Sequence, residues 1–466
     1  MNEIKKNISY SLLANIVSII ASVAMVLFMP KYMSLEDFGM WQLFLFYLSY
    51  SGFFHFGWVD GMYLRYAGSS YEEFDKPKIS GQIYALFIFE CFVMLVGNIV
   101  CYNFIDNIKI AILKDTLIIL PIIILNLSCN YILQIGNKIK EFAKITFLDR
   151  LSLIAFILFA LFFEKNSFNC MYYSKVASVI FTCIFTIFTC KTIFFNTLYS
   201  TKDIILEAKE NLKTGIRLLI ANLAGMLIIG FVRYGISVEW SVSVFGKISL
   251  TLSICNFLLT FINALSIAIF PFIKKLDLNM MREVYVNIRV FLTIIALGGF
   301  CFYYPLKNII ELWLPKYADS LEYMLILFPV CLYASRTSLL VNTYFKSLRK
   351  EILLEKINLC LLGFSVILTF LCVFILKDLW LTLASITFIY FINNVVSEFF
   401  IQKMLGINLS KEYCIESIAV LMFFVINKLY NNYYSVFAYG VVYLGIIWYY
   451  KIKIMESINN RNKITL

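Results

Sequence analysis

Charge is what this sequence has least of. Only 15% of its 466 residues are Asp, Glu, Lys or Arg, where soluble domains carry about 25%. Hydrophobic residues make up 61% of the chain and the mean hydropathy is +0.82. A soluble chain of this makeup would expose far more contiguous apolar surface than monomers tolerate. A soluble enzyme, a disordered linker and a secreted disulfide scaffold are excluded on that ground. Histidine is nearly missing. His55 is the only one, so neither a histidine-based metal site nor a catalytic dyad can be assembled. On its aromatic-rich segment it reads as a packed or hydrogen-bonded side chain. The twelve cysteines include no C-x-x-C pair, and most lie in apolar runs, as do Cys91, Cys129, Cys183, Cys255, Cys331 and Cys372. Buried free cysteine behaves as a small hydrophobe, so no disulfide framework or zinc site is read here. No P-loop sequence appears, which argues against ATP hydrolysis by this chain.

What the sequence does have is hydrocarbon. At about 20 residues per crossing, roughly 280 hydrophobic residues leave room for about 12–15 spans. Dividing the apolar runs at charged or turn-rich breaks gives fourteen candidates: 8–29, 40–63, 82–104, 116–137, 145–163, 175–195, 215–237, 248–273, 284–305, 323–345, 355–376, 379–400, 412–430 and 435–453. The fold class is therefore an all-α polytopic membrane protein. About fourteen transmembrane helices are expected, in two pseudo-symmetric six-helix bundles plus two C-terminal helices.

The net charge of +11 would suggest nucleic acid in a soluble protein. In a membrane protein it reads as the excess of Lys and Arg that fixes cytoplasmic loops, and no nucleic-acid partner is inferred. With the N-terminus in the cytoplasm, 28 of the 40 Lys and Arg fall on the inner side and eleven on the outer, with Arg336 inside a span. Both termini are then cytoplasmic. Lys5 and Lys6 precede a first apolar run that continues to Met29. That is too long for a cleaved signal peptide, so it reads as a retained signal anchor.

Loops are short, and none is long enough to form an extramembrane domain. Residues 196–214 place Ile204, Ile205, Ala208 and Leu212 at helical spacing opposite Lys202, Asp203, Glu207, Lys209, Glu210 and Lys213. This predicts an amphipathic helix on the inner leaflet surface. The expected organisation is an N-terminal bundle over 1–195, the linker 196–214, a C-terminal bundle over 215–400, and a helix pair with a cytoplasmic tail over 401–466. The halves echo each other. Leu12, Ala14, Asn15, Phe38 and Gly39 recur as Leu219, Ala221, Asn222, Phe245 and Gly246, all 207 residues apart, and Leu43 and Leu45 match Leu250 and Leu252. Six helices per repeat predicts a two-fold axis along the membrane normal, a recurrent transporter plan.

Lys5-Lys6-Asn7, the first helix with Asn15, Lys31-Tyr32-x-x-x-Glu36-Asp37-Phe38-Gly39, and the second helix running from Gly57 to Arg65-Tyr66 together resemble a known family. So does the start of the second half, with Gly215, Leu218-Leu219, Asn222, Arg233-Tyr234 and Phe245-Gly246. The chain resembles the Wzx-type O-antigen and capsule flippases of the multidrug/oligosaccharidyl-lipid/polysaccharide exporter superfamily. Many members have an acidic residue just before that arginine, where this chain has Val232. The resemblance implies two helical bundles and a central cavity in the bacterial cytoplasmic (inner) membrane. It implies alternating access that moves an undecaprenyl-pyrophosphate-linked oligosaccharide outward for O-antigen or capsular polysaccharide synthesis. The partners it implies are that glycan, membrane lipid, a polysaccharide polymerase and glycosyltransferases. It implies a transporter and not an enzyme.

A diphosphate calls for cations, and guanidinium offers a fork matched to phosphate oxygens. Arg65, Arg233, Arg336 and Arg217 are the candidate pyrophosphate ligands, with Arg336 deep in the tenth span. Snorkelling to the headgroups is the plainer reading for Arg217, Arg289 and Arg65. Asp60, Glu90 and Glu398 are intramembrane acids, suited to proton or sodium coupling. The alternatives are a static ion pair such as Asp60 with Arg65, or a place for Glu398 near the cytoplasmic end. No cofactor is expected. Pro30, Pro121, Pro271, Pro305 and Pro329 lie within or at the ends of spans, where proline bends a helix. Two other functions compete: a cation-coupled multidrug exporter of the same superfamily, and an integral-membrane glycan polymerase. Fourteen spans and basic buried charge count against the first, and short outer loops against the second.

Overall fold

The computed structural model describes residues 21–102, 104, 107–163, 167–196, 200–274, 276–430 and 432–464. Lys5, Lys6, Asn7, Leu12, Ala14 and Asn15 lie outside them. Among the described residues the regular secondary structure is entirely helical. The elements are α1 Ala21–Tyr32, α2 Leu35–Ser49, α3 Trp58–Tyr66, α4 Lys76–Tyr102, α5 Ile108–Ile135, α6 Ile139–Phe162, α7 Phe168–Thr189, α8 Lys191–Phe194, α9 Thr201–Glu239 and α10 Val242–Ile273. They continue as α11 Leu278–Phe300, α12 Tyr303–Trp313, α13 Leu321–Leu327, α14 Val330–Arg336, α15 Asn342–Ser347, α16 Glu351–Thr369, α17 Leu379–Leu405, α18 Ser410–Leu429 and α19 Tyr434–Ile464.

Seven described helices are long and apolar enough to cross a membrane: α4, α6, α7, α9, α11, α16 continued to Ile375, and α17. An eighth span forms if the pieces on either side of Pro329, bent by 49° between Pro315–Leu327 and Val330–Ser347, cross as one. The kink is where the sequence places proline, which removes a helix hydrogen bond and clashes with the preceding turn. Helices α1, α2 with α3, α5, α10, α18 and α19 overlie the remaining six expected spans. The expected second span is not one rod. α2 ends at Ser49, a short 3₁₀ turn follows over Ser51–Phe53, and Gly57 takes the left-handed φ of +89° before α3 begins. His55 caps that corner, its Nδ1 accepting from the Gly57 amide at 3.0 Å. The lone histidine is thus buried and hydrogen-bonded.

Local chemistry sets the other ends. Ser34 caps α2 by accepting from the Asp37 amide at 3.0 Å, with Glu36 and Asp37 in the positive first turn. Asp277 and Asp378 cap α11 and α17 in the same way. α17 ends on Gly406 at φ +66°, the left-handed exit glycine permits.

The chain divides into two compact units. The first comprises Met1–Met226 with Trp240–Lys247, the second Leu227–Glu239 with Ile248–Leu466. The linker expected at 196–214 is not a separate element, because α9 runs unbroken from Thr201 to Glu239. Glu207, expected on the polar face, is buried beside Ala208 and Asn211.

In the first unit α4 and α5 share a core of Ile79, Ile83 and Leu86 with Leu117, Leu120 and Ile124. α6 and α7 are joined through the hydroxyls of Ser152 and Ser178, 2.8 Å apart. Two crossings depend on glycine. A Cβ on Gly246 would lie 2.6 Å from the Gly39 Cα, and one on Gly57 would lie 2.7 Å from the backbone of Gly215 and Ile216. Small residues that let backbones approach are how helices associate where lipid weakens the hydrophobic drive. The second unit is cemented by aromatic contacts, among them Phe300–Phe423 at 4.6 Å and Tyr303–Phe423 at 5.4 Å between ring centres. Large exposed side chains such as Ile88, Phe92, Phe159, Leu421 and Phe437 give both units an apolar exterior suited to lipid.

Candidate functional site

Four buried charges of the second unit form one cluster. Arg289 on α11 and Arg336 at the end of α14 are 1% and 0% exposed, and Glu398 on α17 and Glu416 on α18 are 0% and 2% exposed. Glu416 sits at the centre. Arg289 donates to it from Nη1 at 2.8 Å and Nη2 at 3.0 Å, Arg336 from Nη1 at 2.7 Å, and Tyr450 from its hydroxyl at 3.2 Å. Arg336 also donates from Nη2 to the Thr293 hydroxyl at 2.6 Å. Arg289 donates from Nε to Glu398 at 2.9 Å and lies 4.7 Å over the Tyr413 ring, while the Tyr413 hydroxyl donates to the same Glu398. Two positive and two negative charges balance within one hydrogen-bonded cluster. Burial of this kind survives only with such pairing.

The consequences for the candidate residues are specific. Arg336 is enclosed and both its Nη groups are engaged. Arg289 does not snorkel, being 1% exposed, and Glu398 is buried and bonded to it. No motif in the sequence singled out Glu416. The available signal was an acid one turn inside the apolar run 412–430, after Glu412 at its edge.

A second polar constellation lies in the first unit. Glu207 of α9 accepts from Arg65 at 2.7 Å, from Lys78 at 2.8 Å and from the Tyr66 hydroxyl at 2.7 Å. Arg65 also donates to the Asn211 side chain at 2.7 Å. Gln82 extends the network, accepting from Trp58 at 2.9 Å and Asn211 at 3.2 Å while donating to the Ile204 carbonyl at 2.9 Å. Arg65 therefore pairs with Glu207 and not with Asp60. This is why Glu207 turns inward: three donors on α3 and α4 compensate it. Arg217 lies on the exposed side of α9. In the second unit Arg233 donates from Nη2 to Ser249 at 3.1 Å.

Glu90 and Asp60 differ from every acid above. Glu90 is 0% exposed and neither carboxylate oxygen has a hydrogen-bond partner. Asp60 is 7% exposed on the first turn of α3. An uncompensated carboxylate in a membrane interior is expensive and marks a functional position unless it is neutralised. Among the described residues no group of three or more His, Cys, Asp or Glu side chains is placed to hold a metal ion. An apolar groove of about 460 Å³ opens on the second unit, lined by Ile326, Tyr333, Phe388, Phe391, Leu421 and Phe424.

Long apolar helices, balanced or uncompensated charges at membrane depth and a lipid-compatible exterior define a multi-pass helical membrane fold. Comparison with solved structures agrees. A structure of the lipid II flippase MurJ in an inward closed conformation superposes with a TM-score of 0.66 at 13% identity, covering 96% of this chain and 98% of that one. An inward-facing multidrug resistance MATE family transporter of the MOP superfamily gives 0.61 at 11% identity, over 84% and 94%. A MATE in complex with MaD3S gives 0.51 at 13%, over 86% and 97%. The chain has the fold of MOP superfamily transporters. No protein-family model and no curated protein sequence matches it.

Proposed function

We propose that this chain is a flippase that moves an undecaprenyl-pyrophosphate-linked oligosaccharide from the cytoplasmic to the outer leaflet of a bacterial inner membrane by alternating access. The glycan serves O-antigen or capsular polysaccharide synthesis, both termini are cytoplasmic, and a polymerase and glycosyltransferases act beside it. The observation that carries this reading is arginine at membrane depth in a fold that a lipid II flippase matches nearly end to end. Arg65 and Arg217 of the first unit and Arg233 of the second supply cationic contacts along the path of the diphosphate. Arg336 is already neutralised by Glu416, so it acts as a positioning residue that holds α14 on α18. Glu90, unpartnered and buried, is the coupling site for a proton or sodium ion, with Asp60 beside it in role.

The same Glu90 favours a second reading, a cation-coupled multidrug exporter. Deleting the gene in its native host separates the two. Loss of surface glycan with lipid-linked units trapped in the inner leaflet supports the flippase. Intact glycan with altered drug sensitivity supports the exporter, and units reaching the outer leaflet unpolymerised support a polymerase.

A further inference from the structure

A third cluster of charge lies in the first unit, and nothing above uses it. Asp149 and Arg150 are the eleventh and twelfth residues of α6, and Lys175 is the eighth of α7. At about 1.5 Å rise per residue they sit roughly 10–16 Å inside their helices, well into the hydrocarbon. The Lys175 Nζ lies 3.7 Å from one Asp149 oxygen, and the Arg150 Nε lies 3.9 Å from the other. One carboxylate is bracketed by two cations, neither within hydrogen-bond distance of it. Lys175 is 8% exposed, and the Arg150 Nε is buried without a hydrogen-bond partner. The Arg150 and Asp149 side chains are 41% and 27% exposed. The partial exposure of Arg150 and Asp149 leaves that side of the cluster open to a ligand.

On the adjoining helix α5, Asn126 donates to the Val179 carbonyl at 3.4 Å, one turn from Lys175. Its own Oδ1, and that of Asn130 one turn along α5, are buried acceptors with no donor. With two cations on one carboxylate, the site carries a surplus of one positive charge.

We propose that Arg150 and Lys175 bind the carboxylate of an acidic sugar carried by the transported glycan. This rests on the flippase reading and adds the substrate class. Charge balance selects the group. A single carboxylate neutralises the surplus of one, whereas a diphosphate would overfill a site that already contains Asp149.

The test is calorimetric binding to the purified full-length protein in detergent, with trigalacturonate, neutral maltotriose and inorganic pyrophosphate as probes. Trigalacturonate is expected to bind at least about tenfold tighter than maltotriose. Lys175→Gln and Arg150→Gln each weaken it by about tenfold or more, the scale of one charge-assisted hydrogen bond. Asp149→Asn removes the competing carboxylate and tightens it. That variant decides the matter if the lysine variant fails to fold. Unchanged binding in Arg150→Gln with no gain in Asp149→Asn overturns the proposal, as does equal affinity for maltotriose. Pyrophosphate binding more tightly than trigalacturonate in a Lys175-dependent way also overturns it. If the deletion strain exports its glycan normally while the purified protein shows the expected binding pattern, the flippase reading fails and the site stands.

Discussion

Gly39 and Gly246 hold the same place in two sequence repeats 207 residues apart, and in the folded first unit they meet backbone to backbone. A Cβ on Gly246 would lie 2.6 Å from the Gly39 Cα. The repeat signal and a close helix crossing therefore coincide at one point, where any side chain would force α2 and α10 apart.

Gly246→Ala is expected to destabilise the protein by about 1–3 kcal/mol, the usual cost of overpacking a close contact. Gly299→Ala, which meets nothing within 4 Å, leaves stability unchanged. Thermal unfolding of the two variants in detergent checks the contrast.

Glu416 compensates two buried arginines at once. Glu416→Gln should cost about 3–5 kcal/mol, the penalty for breaking one side of a buried ion network. Adding Arg336→Met to it should recover part of that loss, because one uncompensated cation is removed. A double-mutant cycle measured by chemical unfolding reads the coupling, and simple additivity would show that the two residues act independently.

Glu207 anchors the N-terminal part of α9 through Arg65, Lys78 and Tyr66. Its partners are part-exposed, so Glu207→Gln should cost only about 1 kcal/mol globally. Locally the effect is larger: amide exchange over residues 201–214 should accelerate while α6 and α7 keep their protection.

Glu90→Gln should fold as well as the wild type or better, since it replaces an unpartnered buried acid with a neutral group. If Glu90 couples transport to a cation, the variant loses the dependence of transport on a proton or sodium gradient. Retained gradient dependence would remove Glu90 from that role.

The membrane class and the helical makeup were legible from composition alone, because 15% charge leaves no soluble alternative. The break in the second span was not. Its apolar content continues through Phe53, Phe54 and Phe56, and only the backbone shows that Gly57 turns the chain. The pairing of charges was hidden for a different reason. The contacting pairs among Arg289, Arg336, Glu398 and Glu416 are 80 to 127 residues apart, and spacing carries no trace of such encounters. Glu207 read as the solvated face of an amphipathic helix, since its compensation by Arg65 and Lys78 exists only once α3 and α4 lie beside α9. Lys175 was set at the edge of an apolar run beginning at 175. The helix begins instead at Phe168, and those seven residues move the lysine from an interface to the interior.

The central claim is outward movement of a lipid-linked glycan, and reconstitution measures it directly. Purified protein in liposomes carrying undecaprenyl-pyrophosphate oligosaccharide on one leaflet should deliver it to the other, where an added lectin or glycosidase reads its arrival. Arg233→Ala and Arg65→Ala should slow delivery while the proteins remain folded. Delivery no faster than in protein-free liposomes, under an imposed proton or sodium gradient in either direction, would contradict the account.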